Sequence, residues 1–210
     1  MLLVIGNKRY SSWSLRPWLL LKHFAIPFEE KLIPLDQEQT REQILKYSPS
    51  GKVPALVDKG VTIWESMAIA EYLNEKYPEK KMWPARPQDR AWARSISNEM
   101  HAGFQTMRNH MQHDIKKRLT NFDWSVAKED VERVKEIWMQ CLHEFKGPYL
   151  FGNFSIADAM YAPVVNRFVT YDIPLEPEIR AYVEAMLSLP AHKLWIDQAL
   201  AEELRVPRYE

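Results

Sequence analysis

The apolar rhythm of this chain changes once, near residue 80, and that change limits the folds open to it. Before it, short strand-like runs alternate with helix-spaced segments; after it, the spacing is helical throughout. The first part reads as strand 2–5, helix 14–24, strand 28–34, short helix 39–46, strands 55–58 and 61–64, and helix 66–77. Lys59-Gly60 between the last two strands is a hairpin turn signal. This β-α-β-α-β-β-α order is that of a small α/β layer structure. Pro78, Pro84 and Pro87 then fall close together among charged residues. Proline interrupts helices and restricts its neighbours, so the boundary is placed there. The expected division is 1–78, a linker at 79–87, and an all-helical part at 88–210.

Beyond the linker, Trp92, Ile96, Met100, Phe104, Met107 and Met111 recur at three- and four-residue steps, which predicts a first long helix. Val134, Ile137, Trp138, Cys141, Leu142 and Phe145 predict another. Segments 155–169, 177–187 and 191–203 complete a helical bundle.

Hydrophobic residues make up 46 % of the 210, enough for a substantial core. The formal charge of +0 argues against a general nucleic-acid binder. Cys141 is the single cysteine, so no intramolecular disulfide and no cysteine-based zinc site can form. Its apolar helical setting predicts an inert core thiol. No apolar run approaches the roughly 18 residues of a membrane span. The start lacks the basic region and long apolar stretch of a signal peptide, and the expected location is the cytoplasm.

Three short motifs carry chemistry. Ser11-Ser12-Trp13-Ser14 lies between the first strand and the first helix. A helix N-terminus offers unpaired N–H groups and partial positive charge, which stabilise a thiolate or another anion there. The same serines could simply cap the helix. Val53-Pro54 stands just before a strand, where proline is tolerated. A cis bond at that position would turn the Val53 N–H and C=O toward open space. Glu65-Ser66 opens the third helix of the first part. Ser66 reads as its N-cap. Glu65 can hold an ammonium, while Ser66 and the helix end hold a carboxylate. His101, His110 and His113 complete no metal-ligand spacing, and no metal is expected.

Taken together, these motifs resemble the cytosolic glutathione transferase family. The resemblance rests on Gly51-Lys52-Val53-Pro54-Ala55-Leu56 and on Trp64-Glu65-Ser66-Met67-Ala68-Ile69-Ala70-Glu71-Tyr72-Leu73, and it extends over essentially the whole chain. Phe154-Ser155-Ile156-Ala157-Asp158 looks like the family's buried capping box, a structural match. The implied fold is a thioredoxin-like first domain followed by an all-α domain. Tyr10-Ser11-Ser12-Trp13-Ser14-Leu15-Arg16 is most similar to the serine-using zeta and theta-like branches. In register with the zeta motif, Ser11 falls on the catalytic serine, Ser12 on its neighbour and Trp13 on a cysteine.

The resemblance implies glutathione as co-substrate, with Ser11 or Ser12 donating a hydrogen bond to its sulfur and Tyr10 as the alternative donor. It implies that Lys52, Val53, Pro54, Glu65 and Ser66 bind glutathione: Val53 the cysteinyl backbone, Glu65 and Ser66 the γ-glutamyl end, Lys52 the glycine carboxylate. Residues 35–41 are further candidates for the glycine end. A small hydrophobic electrophile would bind between Tyr10 and Trp13 on one side and Phe104, Met107 and Met111 on the other. The expected activity is glutathione transfer. A zeta-type maleylacetoacetate isomerase and a non-catalytic ligand-binding or scaffold protein are the alternatives, and Trp13 in the cysteine's place counts against the isomerase. A homodimer is implied; no nucleic acid or membrane partner is.

Overall fold

A computed structural model describes residues 1–206. The expected helical part runs to residue 210, and residues 207–210 lie outside the described region. The first elements are β1 (Leu2–Ile5), α1 (Ser12–His23), β2 (Glu29–Leu32), α2 (Thr40–Leu45), β3 (Ala55–Asp58), β4 (Val61–Trp64) and α3 (Ser66–Lys76). Helices α4 (Pro87–Ala102), α5 (Gln105–His110), α6 (Lys128–Phe145), α7 (Ile156–Thr170), α8 (Pro177–Ser188) and α9 (Pro190–Ala201) follow. Single 3₁₀ turns at Pro78–Lys80 and Ser125–Ala127 join some of them. The thioredoxin-like α/β part and the helical part expected from the sequence are both present.

The four strands form one mixed sheet in the order β2-β1-β3-β4. β2 runs parallel to β1, with α1 as the crossover that a parallel pair needs. β3 is antiparallel to both β1 and β4. The central strand β1 is uniformly apolar because both of its faces are covered. Leu3 and Ile5 join the large core beneath α1 and α3, while Val4 packs with Ile33, Ile44 and Ala55 beneath α2. This alternation follows from the two-residue period of a strand. β2, Glu-Glu-Lys-Leu, is an exposed edge, and its charges suit a strand with an unpaired side. At the Lys59-Gly60 turn both residues have positive φ, 48° and 84°, as a two-residue hairpin requires.

The large core runs without a break from the sheet into the helices. Trp18 of α1 meets Trp195 of α9 edge-on, with ring centroids 5.1 Å apart. The capping box opening α7 is formed: Asp158 accepts from the Ser155 N–H at 2.9 Å and from its hydroxyl at 3.0 Å. Asp158 also accepts from the Leu150 N–H at 3.0 Å, but complete burial still raises its carboxyl to about 6. Burial likewise pushes the Cys141 thiol up to about 12, so it is protonated and inert.

One helix differs from its expected form. The stretch from Trp92 to Met111 is two helices with a break at Gly103 and Phe104. A side chain at Gly103 would stand 2.9 Å from the Glu99 carbonyl oxygen. Phe104 has φ 60°, a left-handed conformation that ends α4 and reorients α5. The apolar period survives such a break, because both pieces bury one face in the same core.

Candidate active site

A cleft of about 680 Å³ opens between the sheet part and the helices. One wall is the chain from Tyr10 to Trp13, where β1 hands over to α1. Ser11 is the N-cap residue of α1, yet its side chain makes no cap hydrogen bond. Its hydroxyl donates instead to Ser14 Oγ at 2.8 Å, and Ser14 Oγ also accepts from the Gly6 N–H at 3.1 Å. Ser12 is the first residue of the helix, 7 % exposed and on the cleft wall. Its hydroxyl has no hydrogen-bond partner among the described residues, unlike that of Ser11. Tyr10 lines the cleft too, with its ring 4.6 Å from the Arg9 guanidinium carbon.

The floor comes from Gly51, Lys52 and Val53 and from the segment 35–41. The Val53-Pro54 peptide bond is cis. The Val53 N–H and C=O enter no hydrogen bond among the described residues. A second hollow of about 150 Å³ adjoins the cleft beneath Trp13, lined also by Lys52, Val53, Pro54 and Glu65. Glu65, not Ser66, holds the N-cap position of α3, and Ser66 is its first helical residue. The N-cap expectation for Ser66 is therefore shifted by one residue. Ser66 is buried, lines neither hollow, and its hydroxyl has no partner among the described residues. Glu65 is exposed and adopts φ 69° and ψ 128°, a strained backbone for an L-residue. Strain of this kind clusters at ligand sites.

The opposite wall departs from expectation. Phe104, Met107 and Met111 are 7, 0 and 0 % exposed and belong to the core; none lines the cleft. The wall is made by Gln105, Arg108, Asn109 and Gln112, joined by His113 and Arg167. The methionines take the inner face of α5 because burying apolar surface there stabilises by about 25 cal/mol per Å². The polar face is then left to the cleft, so the apolar lining expected there is replaced by a polar one that carries Arg108.

Trp13 stands at the centre of this arrangement. The guanidinium carbons of Arg16 and Arg108 lie 4.3 Å and 4.6 Å from its ring, and the His101 ring meets it edge-on at 5.3 Å. Arg16 is 1 % exposed and donates from Nε to the Met160 carbonyl at 3.1 Å. Burial, and then repulsion from Arg108 and Arg167, hold its pKa well below the usual arginine range. Arg108 donates to the carbonyls of Gly103, at 2.9 Å, and Met100. No carboxylate forms an ion pair with Arg16 or Arg108 among the described residues. Glu65 comes within 3.7 Å of His101 Nε2. His101 titrates below its ordinary value through burial and then Arg16, so it faces Glu65 as a neutral ring at pH 7. Arg16 and Arg108 thus place positive charge near the serines, a setting that favours bound anions, although Asp36 and Glu38 also line the cleft.

The family model for the glutathione S-transferase N-terminal domain matches residues 10–76. The probable maleylacetoacetate isomerase of Caenorhabditis elegans is 31 % identical over 185 residues, covering 86 % of this chain and 85 % of that protein. The chain belongs to the cytosolic glutathione transferase family. The maleylacetoacetate isomerase of Rattus norvegicus is 30 % identical over 191 residues, covering 87 % of this transferase and 86 % of its own length. Among solved structures, a glutathione transferase homolog from Burkholderia with bound glutathione is 26 % identical, with a TM-score of 0.74 over 96 % of this chain and 98 % of that one. This transferase is a glutathione S-transferase-like enzyme.

Sequence reasoning missed part of this transferase's cleft. Beyond Arg41, which falls in the expected 35–41 segment, Arg108 and Arg167 add cationic character, and Gln105, Asn109 and Gln112 hydrogen-bonding capacity. A signal was present: 105, 108, 109 and 112 repeat at helical spacing, one step out of phase with the methionines. His113 also lines the cleft, 4 % exposed and 3.3 Å from Asn166 Nδ2. His110 lies elsewhere, bonded to the Asp123 carbonyl at 2.9 Å. Among the described residues no group of three or more His, Cys, Asp or Glu could hold a metal ion, and no helix is long and apolar enough to cross a membrane.

Proposed function

We propose that this chain binds glutathione in the cleft, ionises its thiol at the start of α1, and directs the thiolate at a small anionic electrophile. The observation that carries the reading is the Ser12 hydroxyl, uncommitted to any described residue, on the wall of a cleft rich in arginine. Ser12 donates to the sulfur. Ser11, whose proton is given to Ser14, shapes the turn. A free thiol has a pKa of about 8.5, and each unit of lowering corresponds to about 1.4 kcal/mol of thiolate stabilisation. The helix end, Arg16 and Arg108 all act in that direction. Val53 pairs with the cysteinyl backbone, beside Pro54. Glu65 holds the ammonium of the γ-glutamyl end and the N-terminus of α3, opened by Ser66, its carboxylate, while Lys52 with Arg41 holds the glycine carboxylate. Trp13 and the α5 wall receive the electrophile, with Arg108 against its negative charge.

The isomerase reading is supported by the likeness to the maleylacetoacetate isomerases of worm and rat, which are 31 % and 30 % identical to this chain. In that reaction type glutathione returns unchanged. Trp13 at the zeta cysteine's position counts against it. Division at 79–87, a homodimer and a cytoplasmic location accompany this reading as proposals. The test is a pH titration of thiolate absorbance for glutathione bound to the pure protein. A bound pKa well below that of free glutathione is expected. Binding with an unshifted pKa would favour a carrier, and no binding a scaffold. Product analysis with an unsaturated dicarboxylate then separates conjugation from isomerisation.

A further inference from the structure

The loop leading to the serines is held from the far end of the chain. The Asn7 carbonyl oxygen accepts from the N–H groups of Tyr10, at 3.2 Å, and Ser11, at 2.8 Å. Asn7 therefore sets the turn on which Ser12 sits. Its side chain is fixed on both sides: Oδ1 accepts from the Leu35 N–H at 2.7 Å, and Nδ2 donates to Glu202 Oε1 at 2.8 Å. The other Glu202 oxygen accepts from the Lys8 N–H at 2.7 Å. Both oxygens of one carboxylate, at the end of α9, thus grip two consecutive loop residues 195 and 194 positions away. The grip is itself anchored, because Lys116 Nζ donates to the Glu202 carbonyl at 2.7 Å and Trp195 Nε1 to the Lys8 carbonyl at 3.1 Å.

We propose that Glu202 is a positioning residue for thiol activation: it clamps Asn7 and Lys8 and so fixes the loop that presents Ser12. Charge-assisted bonds to an ionised acceptor are about twice as strong as neutral ones, and two on one group define direction as well as distance. Asn7 and Lys8 are 1 % and 6 % exposed, so neither bond is readily replaced by water. The kinetic consequence rests on the thiol-activation reading above; the geometry of the clamp does not.

The test reverses the polarity of the contact. Glu202→Gln leaves one acceptor and sets an amide donor against either Asn7 Nδ2 or the Lys8 N–H. Asn7→Asp opposes two carboxylates. The double variant, Asn7→Asp with Glu202→Gln, restores complementary pairing. Each single variant is expected to lower kcat at saturating glutathione on the order of 10–100-fold, the effect of a misplaced reacting group. Each is also expected to raise the pKa of the bound thiol and to speed hydrogen exchange at the amides of Tyr10 and Ser11. The double variant is expected to recover all three. Glu202→Ala, which removes both acceptors and adds no donor, is made alongside and should behave as the single variants do. Unchanged exchange and thiol pKa in Glu202→Gln and Glu202→Ala would overturn the proposal, as would losses that the double variant fails to recover. If wild-type protein binds no glutathione, the proposed function fails, while exchange at Tyr10 and Ser11 still decides the clamp.

Discussion

The Arg108 guanidinium carbon lies 4.6 Å from the Trp13 ring, a contact between α5 and the first turn of α1. Arg16 occupies a second position at 4.3 Å from the same ring. Both guanidinium groups thus pack on one indole, and Arg108 lines the cleft beside it. Cation–π contacts contribute about 0.5–2 kcal/mol, more where water is excluded. Arg108→Gln is expected to raise KM for an anionic electrophile by roughly 10–100-fold, the loss of a charge-assisted bond of about 1.5–3 kcal/mol. KM for a neutral aryl halide should change little. Trp13→Leu should raise the same KM a few-fold, through a less well held Arg108. Equal effects on both electrophiles would reject a charge-reading wall.

Two adjacent serines differ in commitment, and that difference predicts unequal phenotypes. Ser12→Ala should cut turnover by roughly 10–1,000-fold, with the upper end that of a lost oxyanion donor. The bound thiol pKa should rise with it. Ser11→Ala breaks the bond to Ser14 and should have the smaller effect. Single-turnover kinetics across pH on both variants is the measurement. The reverse order would return the donor role to Ser11, and full activity in both and in the double variant would pass it to Tyr10 or the backbone.

Glu65 combines an exposed carboxylate with φ 69°. Glycine adopts such backbones without steric penalty. Glu65→Gly is therefore expected to raise the melting temperature while weakening glutathione binding by roughly 10-fold or more, as an ammonium partner is lost. Strained non-glycine backbone costs about 1–3 kcal/mol, which bounds the gain. Calorimetry of unfolding and of glutathione binding checks both. A variant that binds as tightly as wild type would remove Glu65 from the site.

The first wall of the cleft, its floor at Val53 and the adjoining hollow at Pro54 and Glu65 were legible because their parts are local. Ser11 and Ser12, Val53-Pro54 and Glu65 each sit at the junction of a strand and the element beside it, and such junctions can be read over a few residues. The second wall was not. Arg108 and Gln112 look like an ordinary solvated helix face until the fold turns that face onto the serines. The break at Gly103 and Phe104 was hidden too, since the apolar period continues through it. Contacts such as Glu202 with Asn7 leave no mark in local sequence, because the two residues meet only through the packing of α9 against α1. The core strands were the easiest to read: Leu3, Val4 and Ile5 are apolar without interruption and fully buried.

His192 is fully buried, with Nδ1 3.0 Å from the Met186 carbonyl. Burial lowers its pKa to about 4 from 6.5. The unfolded chain therefore binds the proton more readily between those values, and stability falls as pH drops from 6.5 toward 4. From pH 7 to pH 5 this single group removes about 2 kcal/mol. Asp158 has the opposite sign. Its raised carboxyl favours the protonated folded state, so its contribution is lost as pH rises through about 6. Urea unfolding of His192→Gln at pH 5 and 7 should show less acid sensitivity than wild type, and Asp158→Asn more. Identical pH slopes in wild type and His192→Gln would reject the assignment.

The break at Gly103 and Phe104 has a consequence for how this enzyme can diverge. α5 is a six-residue segment that gives Met107 to the core and Gln105, Arg108 and Asn109 to the cleft. Its two faces therefore meet different physical demands, packing on one and contact with the cleft on the other. On the proposed function, exchanges at 112 and at the hydrogen-bonded pair 105 and 109 are expected to alter selectivity while leaving the hydrophobic interior undisturbed. Arg108 is the exception, because it is tied to the Gly103 and Met100 carbonyls and to the Trp13 ring, so a change there reaches the scaffold as well as the cleft.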